Sequence, residues 1–200
     1  AQRSGRVLMP GFCTRYAEGV RLLKTYVEQN RLGDLYYVKA TYLRRHGNPG
    51  GWFSDRSRSG GGPVIDLGVH VLDLARFIAG GRAESVYAVA HRMPPGEPAV
   101  SHSPHMSVES GHVHDVEDFA SAMIRMDNGV AIQFEASWNH HVESDVFQIE
   151  VYGTKGGAKA YPKVRIYTDD FGGMCNLEPL HSNNEHNPNY DLDEEIAHFI

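Results

Sequence analysis

The chain has few cysteines, no long apolar run and no cluster of positive charge, and each absence narrows the class of protein. Only two cysteines, Cys13 and Cys175, occur in 200 residues, and their spacing fits neither a disulfide framework nor a redox or metal motif. A formal net charge of -6 argues against a nucleic-acid partner. No apolar stretch approaches the ~20 residues that cross a bilayer, and the first residues carry no charged-then-apolar leader. We therefore expect a cytoplasmic protein with reduced thiols and no membrane contact.

The dinucleotide fingerprint Gly-x-Gly-x-x-Gly is also missing from the chain. Composition is otherwise that of an ordinary globular protein, with 41% hydrophobic and 22% charged residues. A length of 200 residues suits one domain with a substantial core. The sequence therefore predicts a single domain that lacks the usual phosphate-cradling turn of dinucleotide-binding proteins.

The chain is organised around residues 59–78, where a run of glycines leads into an apolar helix. The glycines at positions 60–62 permit a close approach of the backbone, and Pro63 suits the first position of a helix. Asp66 and His70 follow at a spacing of four, which places them on one face of an otherwise buried helix. A polar stripe on a buried helix indicates the wall of a site. The spacing alone leaves open a second interpretation, that of a solvated or hydrogen-bonded Asp–His pair.

Four stretches, taken together and in this order, resemble a known enzyme family. They are 44–53 (RRHGNPGGWF), 60–73 (GGGPVIDLGVHVLD), 116–118 (VED) and 149–157 (IEVYGTKGG). They are similar to the Gfo/Idh/MocA oxidoreductases, the glucose–fructose oxidoreductase and inositol dehydrogenase family. The resemblance runs from about residue 11 to the end of the chain and covers only the second half of such an enzyme. In that family a Rossmann domain with the dinucleotide fingerprint and a catalytic lysine precedes this part.

The resemblance implies a division of the chain. Residues 1–10 would be the remnant of a domain boundary, and residues 11–200 would form the substrate-binding and oligomerisation domain, truncated in its last helix. The N-terminal Rossmann domain would be absent, and with it the site of the NAD or NADP cofactor. We therefore expect the parent protein to be an NAD(P)-dependent dehydrogenase acting on a sugar, cyclitol or related polyol. The isolated fragment is expected to be inactive.

Within such an enzyme, His70 and Asp66 are the predicted catalytic residues. His70 would be the general base, because imidazole exchanges protons near neutral pH. Asp66 would orient the substrate hydroxyl or raise the basicity of His70, and the resemblance implies the same two roles. Asp73, also within the family signature, is interpreted as structural, holding the helix to a neighbouring loop. Two alternatives stay open: a non-catalytic binding or oligomerisation module, and a family relative that uses bound NAD for bond cleavage or hydrolysis.

Four further side chains are candidates for contact with the substrate. Arg45 leaves the end of a predicted strand, and Trp52 lies in a glycine-rich loop. His140 and His141 lie in the polar connection 139–145. The resemblance implies that both loops lie beside the active site. Each residue also has a plain alternative: a solvated arginine, a tryptophan anchored on the core, and two histidines in an exposed loop.

Segment 93–115 is rich in proline, serine and histidine. Its histidines include His102, His105, His112 and His114. A His-x-His spacing can hold zinc or nickel, but the segment offers neither a cysteine nor a rigid helical frame. We therefore predict a surface loop or interface lid and no metal site.

Hydrophobic periodicity and turn residues predict an α+β fold. Helices are predicted from a Thr14 cap to about Gln29, from Val64 onward, and from a capping box at Asp191 to the chain end. Strands are predicted at 35–45, 84–92, 119–126, 130–138 and 147–152, with shorter strands near Ala158 and Val164. A tight Asn128-Gly129 turn would join two of them. This order predicts a largely antiparallel open sheet with helices on one face, whose other face would mediate a homo-oligomer.

Overall fold

The structure is a computed structural model that describes residues 2–94, 113–161, 163–170, 172–179 and 190–200. Its α-helices are α1 (Glu18–Glu28), α2 (Arg56–Ser59), α3 (Val69–Ala79) and α4 (Tyr190–Phe199). Its strands are β1 (Leu35–Leu43), β2 (Ala83–His91), β3 (Phe119–Met126), β4 (Ala131–Ser137), β5 (Val146–Gly153), β6 (Gly156–Lys159), β7 (Arg165–Asp170) and β8 (Gly173–Leu177). A π-helical turn, Val64–Gly68, runs directly into α3, and a 3₁₀ turn, Cys13–Tyr16, precedes α1. Within these ranges no helix is both long enough and apolar enough to cross a bilayer.

The strands form one open sheet in the order β2-β3-β4-β1-β5-β6-β7-β8. Strands β1 and β4 run parallel, from Tyr37 opposite Ala131 to Leu43 opposite Ser137. The other neighbouring strands are antiparallel. The predicted α+β class and the largely antiparallel open sheet are therefore confirmed, with one parallel pairing at the centre. This pairing arises because β4, which follows α3, β2 and β3 in the chain, lies along one edge of β1, while β5 lies along the other edge.

The helices pack on one face of this sheet. Helix α3 contacts β1 and β5, the π-helical turn contacts β4 and β1, and α1 packs against α3. Alternate strand residues point toward this layer and are buried; they include Val38, Ala40, Ile132, Phe134, Ile149 and Val151. The helix lies very close to the sheet at Gly68, where a Cβ would come 2.6 Å from Cζ of Phe134. This close approach sets the first turn of the helix, with Asp66, against β4.

The opposite face of the sheet carries no helix in the part of the chain that the structure describes, and polar and aromatic side chains line it. Tyr37 donates a hydrogen bond to Gln133 at 2.5 Å, and Lys39 forms an ion pair with Glu150 at 3.6 Å. Met123 lies opposite Gln133 on this face and is 44% exposed. The face therefore mixes paired charges with accessible apolar surface.

Two predicted helix caps are wrong. Thr14 lies inside the 3₁₀ turn, and α1 begins at Glu18 after Ala17, which provides no side-chain cap. Asp191 lies within the first turn of α4, because the helix already begins at Tyr190. In both places the pattern identified the helix but misplaced its beginning, since a Thr or Asp near a helix start can occupy any of several positions.

The turn between β3 and β4 is longer than the predicted two-residue hairpin. Only Gly129 has a positive φ there, at 87°, so Asn128 does not adopt the left-handed conformation. Asn128 instead donates from its side chain to the carbonyl of Ala79 at 3.0 Å and accepts from the N–H of Val130 at 3.3 Å. Asn128 thus ties the hairpin to the end of α3, and the turn does not adopt the predicted two-residue form.

Candidate functional site

The glycine run is held by the carboxylate of Glu117. Its Oε1 accepts hydrogen bonds from the backbone N–H groups of Gly62 at 3.0 Å and Val64 at 3.3 Å. Glu117 therefore caps the start of the helix, where N–H groups have no partner within the helix and an anion is favoured. A Cβ on Gly62 would lie 2.1 Å from the carbonyl oxygen of Glu117. Glycine is required there because the two backbones nearly touch.

Asp66 lies in the π-helical turn and is bound by a buried tryptophan. Trp138 donates from Nε1 to Oδ2 of Asp66 at 2.8 Å, and the indole is fully buried. Trp138 directly follows β4, and it packs with Leu67 and Val116. The carboxylate is thus fixed in place by the sheet. Sequence reasoning missed this partner because it lies 72 positions away.

His70 lies on the next turn, in α3, and is half-buried. Its ring meets that of Phe12 edge-on, with centroids 6.1 Å apart and an angle of 74° between the planes. Among the described residues none forms a hydrogen bond with His70, and Asp66 bonds to Trp138 rather than to it. The two residues therefore do not form the closed Asp–His pair that the spacing left open, and the imidazole nitrogens can meet a ligand.

Asp73 is structural, as predicted, and its partner is Arg15. The guanidinium Nε donates to Oδ2 of Asp73 at 2.6 Å, and this hydrogen bond is the main cause that raises the pKa of Arg15 above its ordinary value. The guanidinium also lies 5.7 Å from the centroid of Phe12 and 5.4 Å from that of Phe77. The ion pair therefore fixes the Phe12 segment on α3, and with it the ring that His70 touches.

Arg45 joins the two loops that were expected beside the site. Its backbone N–H donates to Oδ1 of Asp145 at 2.8 Å, and its guanidinium donates to the carbonyl of Glu143 at 3.1 Å. The loop after β1 is thereby tied to the connection 139–145. Arg45 is exposed, so its remaining guanidinium N–H groups face solvent.

The other predicted contact residues differ in exposure. Trp52 is 45% exposed, and its ring stacks on Phe53 with centroids 4.1 Å apart. His140 is half-buried and stacks on Phe119 at 5.4 Å, whereas His141 is exposed. Trp52 is therefore not buried in the core, and part of its ring is open to solvent.

An Asp–His pair with a half-buried imidazole and a buried carboxylate lies in the 113–118 segment, and the sequence pattern does not reveal it. His114 Nε2 lies 2.9 Å from Oδ2 of Asp118, whose side chain is 3% exposed. This hydrogen bond is the main cause that raises the pKa of His114. Burial alone would raise the pKa of Asp118, but the hydrogen bonds from His114 and from the N–H of Met93 outweigh it, so its pKa is lowered. The pair is therefore stabilised as imidazolium and carboxylate.

A cavity of about 570 Å³ opens between the glycine run and the edge strand β2. Its lining includes Gly61, Ile65, Ala90, Arg92 and Glu117. This volume lies within the usual range for small-molecule sites. The cavity borders the turn that carries Asp66, so an occupant of moderate size can lie beside that turn.

The described ranges contain no group of three or more histidine, cysteine or acidic side chains arranged to hold a metal ion. His102, His105 and His112 lie outside the described residues. His114 is engaged by Asp118, which leaves it paired rather than arranged with other ligands.

Comparison with known proteins identifies what this chain resembles. The family model described as the GFO/IDH/MocA C-terminal domain matches residues 20–159. The D-glucoside 3-dehydrogenase of Escherichia coli is 32% identical over 180 residues, covering 88% of this chain and 50% of that protein. The levoglucosan dehydrogenase of Pseudarthrobacter phenanthrenivorans is 31% identical over 160 residues, covering 75% of this chain and 41% of that protein. The chain thus spans about half the length of these relatives.

Solved structures share the fold. A levoglucosan dehydrogenase in complex with NADH and levoglucosan superposes with a TM-score of 0.74 at 23% identity, covering 94% of this chain and 54% of that one. An aldose-aldose oxidoreductase from Caulobacter crescentus, complexed with glycerol, gives a TM-score of 0.75 at 21% identity, covering 98% of this chain and 53% of that one. At these identities the likeness concerns the arrangement of the sheet and helices.

Proposed function

Since this chain belongs to the GFO/IDH/MocA oxidoreductase family, we propose that the protein containing it transfers a hydride between a nicotinamide cofactor and a carbinol carbon of a sugar, cyclitol or related polyol. The observation that carries this proposal is the presentation of Asp66 and His70 from adjacent turns of one helix. The helix start is capped by Glu117, and Asp66 is held by Trp138. Relatives named as dehydrogenases of glucosides and of levoglucosan support the substrate class.

The residues of this chain would handle the proton of the reaction. Oxidation of a carbinol requires that the hydroxyl proton leave as the hydride departs, and His70 would accept it as general base. His70 suits this role because its ring nitrogens are not committed to any described residue. Asp66 would accept a hydrogen bond from the substrate and orient it, since its carboxylate is fixed while one oxygen is left for a ligand.

The cofactor would be bound outside this chain. The sequence has no Gly-x-Gly-x-x-Gly, and the glycine run at 60–62 is occupied by the chain's own Glu117 rather than open to a pyrophosphate. The residues present therefore do not fit the phosphates of a dinucleotide. We propose that an N-terminal domain binds NAD or NADP, which would supply the acceptor or donor of the hydride. Residues 11–200 would then serve as the substrate-binding domain.

The rim of the substrate site would be formed by Arg45, Trp52, His140 and His141. The exposed face of Trp52 suits stacking against a sugar ring. Arg45 and His141 are exposed donors suited to sugar hydroxyls. His140 would act mainly through its stack on Phe119, which shapes the loop. These contacts would bind substrate in both the ground state and the transition state.

Coenzyme reduction tests the proposed function. The full-length protein is incubated with NAD or NADP and a panel of glucosides, anhydrosugars, inositols and simple alcohols, and absorbance at the reduced-nicotinamide band is followed. Reduction with one or more cyclic polyols and none with simple alcohols is expected. Coenzyme that stays oxidised with every polyol would contradict the proposal.

We also propose that the open sheet face pairs two copies of the chain. An antiparallel sheet with helices on one face leaves the other face to water or to a partner. Here that face mixes accessible Met123 and the aromatic ring of Tyr37 with the Lys39–Glu150 ion pair. Such a mixture suits a two-fold interface, in which each copy offers the same patch to the other.

Light scattering at micromolar concentration tests this pairing. The wild type is expected at twice the chain mass or more, and Met123→Arg is expected to shift it toward monomer by placing unpaired charges in the interface. Val86→Arg is the matched control, since Val86 is 58% exposed on the neighbouring strand but points to the helix side of the sheet. A monomeric wild type, or equal effects of both variants, would contradict the pairing.

A further inference from the structure

Trp138, whose indole binds Asp66, is also held by backbone hydrogen bonds and by apolar packing. Its backbone N–H donates to the carbonyl of Asp118 at 3.2 Å, and its backbone carbonyl accepts from the N–H of Gly47 at 2.8 Å. Tyr42 and Phe53 pack on the cluster that contains its ring. The two backbone bonds fix the position of the residue, and the apolar cluster packs around its ring, so that the indole cannot turn away from Asp66 without disturbing that cluster.

The chemistry of the indole restricts what Asp66 can do. An indole N–H donates and never accepts. The oxygen of Asp66 that it meets must therefore act as an acceptor, and the bond fixes the direction in which the carboxyl group points. The 2.8 Å bond uses Oδ2 and leaves Oδ1 to meet another group. A carboxylate held in this way can accept a hydrogen bond from a ligand hydroxyl through Oδ1.

We propose that Trp138 is a positioning residue that fixes Asp66 as an oriented acceptor, so that Asp66 holds the substrate hydroxyl while its proton passes to His70. The bond of the hydroxyl hydrogen to oxygen breaks as a bond to an imidazole nitrogen of His70 forms. The catalytic consequence rests on the proposed dehydrogenase function. The hydrogen bond itself, and the orientation that it gives to Asp66, are independent of that function.

The simpler role for Trp138 is that of a large core residue whose N–H happens to find a partner. That role predicts that loss of the N–H affects folding stability and catalysis only as far as the core is loosened. Positioning predicts two further effects: the indole N–H responds to the charge at position 66, and the removal of the N–H lowers kcat more than it changes KM.

The first measurement is nuclear magnetic resonance of the full-length protein with ¹⁵N-labelled indoles and no ligand. Trp138→Phe assigns the resonance by its loss. The Trp138 indole proton is expected far downfield and slow to exchange, and Asp66→Asn, which removes the charge but keeps the size, is expected to move it upfield. An indole resonance that is unchanged in Asp66→Asn, or that exchanges as fast as an exposed indole, would overturn the proposal.

The second measurement is the kinetics of Trp138→Phe in the same protein, with the sugar that is oxidised fastest. A loss of about tenfold to a hundredfold in kcat with a smaller change in KM is expected, the range for a hydrogen bond to a charged group. Met126→Ala is the matched control, because Met126 is 1% exposed and its loss also opens the core. Equal losses of kcat in the two variants would reduce Trp138 to a core residue and overturn its positioning role.

The two measurements separate the failure of this inference from the failure of the proposed function. If no sugar is oxidised, the dehydrogenase proposal fails, while the resonance of the ligand-free protein still decides whether Trp138 fixes Asp66. If sugars are oxidised but Asp66→Asn leaves the indole unmoved, the dehydrogenase proposal stands and the positioning role of Trp138 is wrong.

Discussion

Replacing His70 by alanine is expected to lower kcat of the full-length enzyme by roughly 10²- to 10⁴-fold, the usual contribution of a general acid or base. The change in KM is expected to be much smaller. The reason is that His70 would act on the hydroxyl proton in the transition state and contributes little to ground-state binding. Both constants are measured by steady-state coenzyme reduction with a sugar that the wild-type enzyme oxidises.

A control for His70→Ala is available on the same domain. His198→Ala changes an exposed histidine in α4 and is expected to leave kcat close to the wild-type value. If His70→Ala also retains near-normal turnover across neutral pH, then His70 is not the general base. The ring would then serve only to pack against Phe12.

Gly62→Ala is expected to lower the free energy of unfolding by on the order of 3 kcal/mol. The new Cβ would lie 2.1 Å from the carbonyl oxygen of Glu117, which belongs to the backbone and cannot move alone. Relief of this overlap has to separate the helix start from the segment that caps it. We therefore expect the turn that carries Asp66 to shift, with a loss of kcat in the full-length enzyme as well.

Gly61→Ala is the matched control for Gly62→Ala. A Cβ at Gly61 would lie 3.0 Å from Cδ1 of Ile65, the end of a flexible side chain that is 48% exposed. Because that end can move aside, the free energy of unfolding is expected to change by less than about 1 kcal/mol. Urea unfolding followed by circular dichroism compares the two variants. Similar stability for both would mean that the contact of Gly62 with Glu117 does not hold the helix start.

The sequence allowed prediction of those features whose signal is local. The glycine run, the helix from Val64 and the placement of Asp66 and His70 on adjacent turns follow from spacing alone. Strands β1 and β3 to β5 lie within a few residues of their predicted ranges, because alternation repeats over many positions. The resemblance added the family, which the match over residues 20–159 supports.

The missed features depend on contacts between distant segments. Glu117 caps the helix at Gly62, 55 positions away along the chain. Trp138 binds Asp66, 72 positions away. No local sequence pattern predicts such partners. The His114–Asp118 pair was hidden for another reason. Its histidine belongs to a histidine-rich segment whose composition predicts a surface loop, and only the burial of Asp118 distinguishes the pair.

Tertiary contacts also account for the local errors. Asn128 was expected to shape a tight turn, but its side chain is engaged by the carbonyl of Ala79 at the end of α3. The parallel pairing of β1 with β4 has no signature in either strand, since it depends on where the chain returns. A prediction that treats each strand alone therefore cannot give the turn geometry at Asn128 or the pairing of β1 with β4.

The most direct test of the central claim is the transfer of a deuterium label from substrate to coenzyme. The full-length protein is given a sugar that it oxidises, deuterated at its carbon-bound positions, and the reduced coenzyme is examined by mass spectrometry. Hydride transfer predicts that each reduced coenzyme carries a single deuterium from the sugar. Reduced coenzyme without deuterium, or sugar consumed while the coenzyme stays oxidised, would contradict the account.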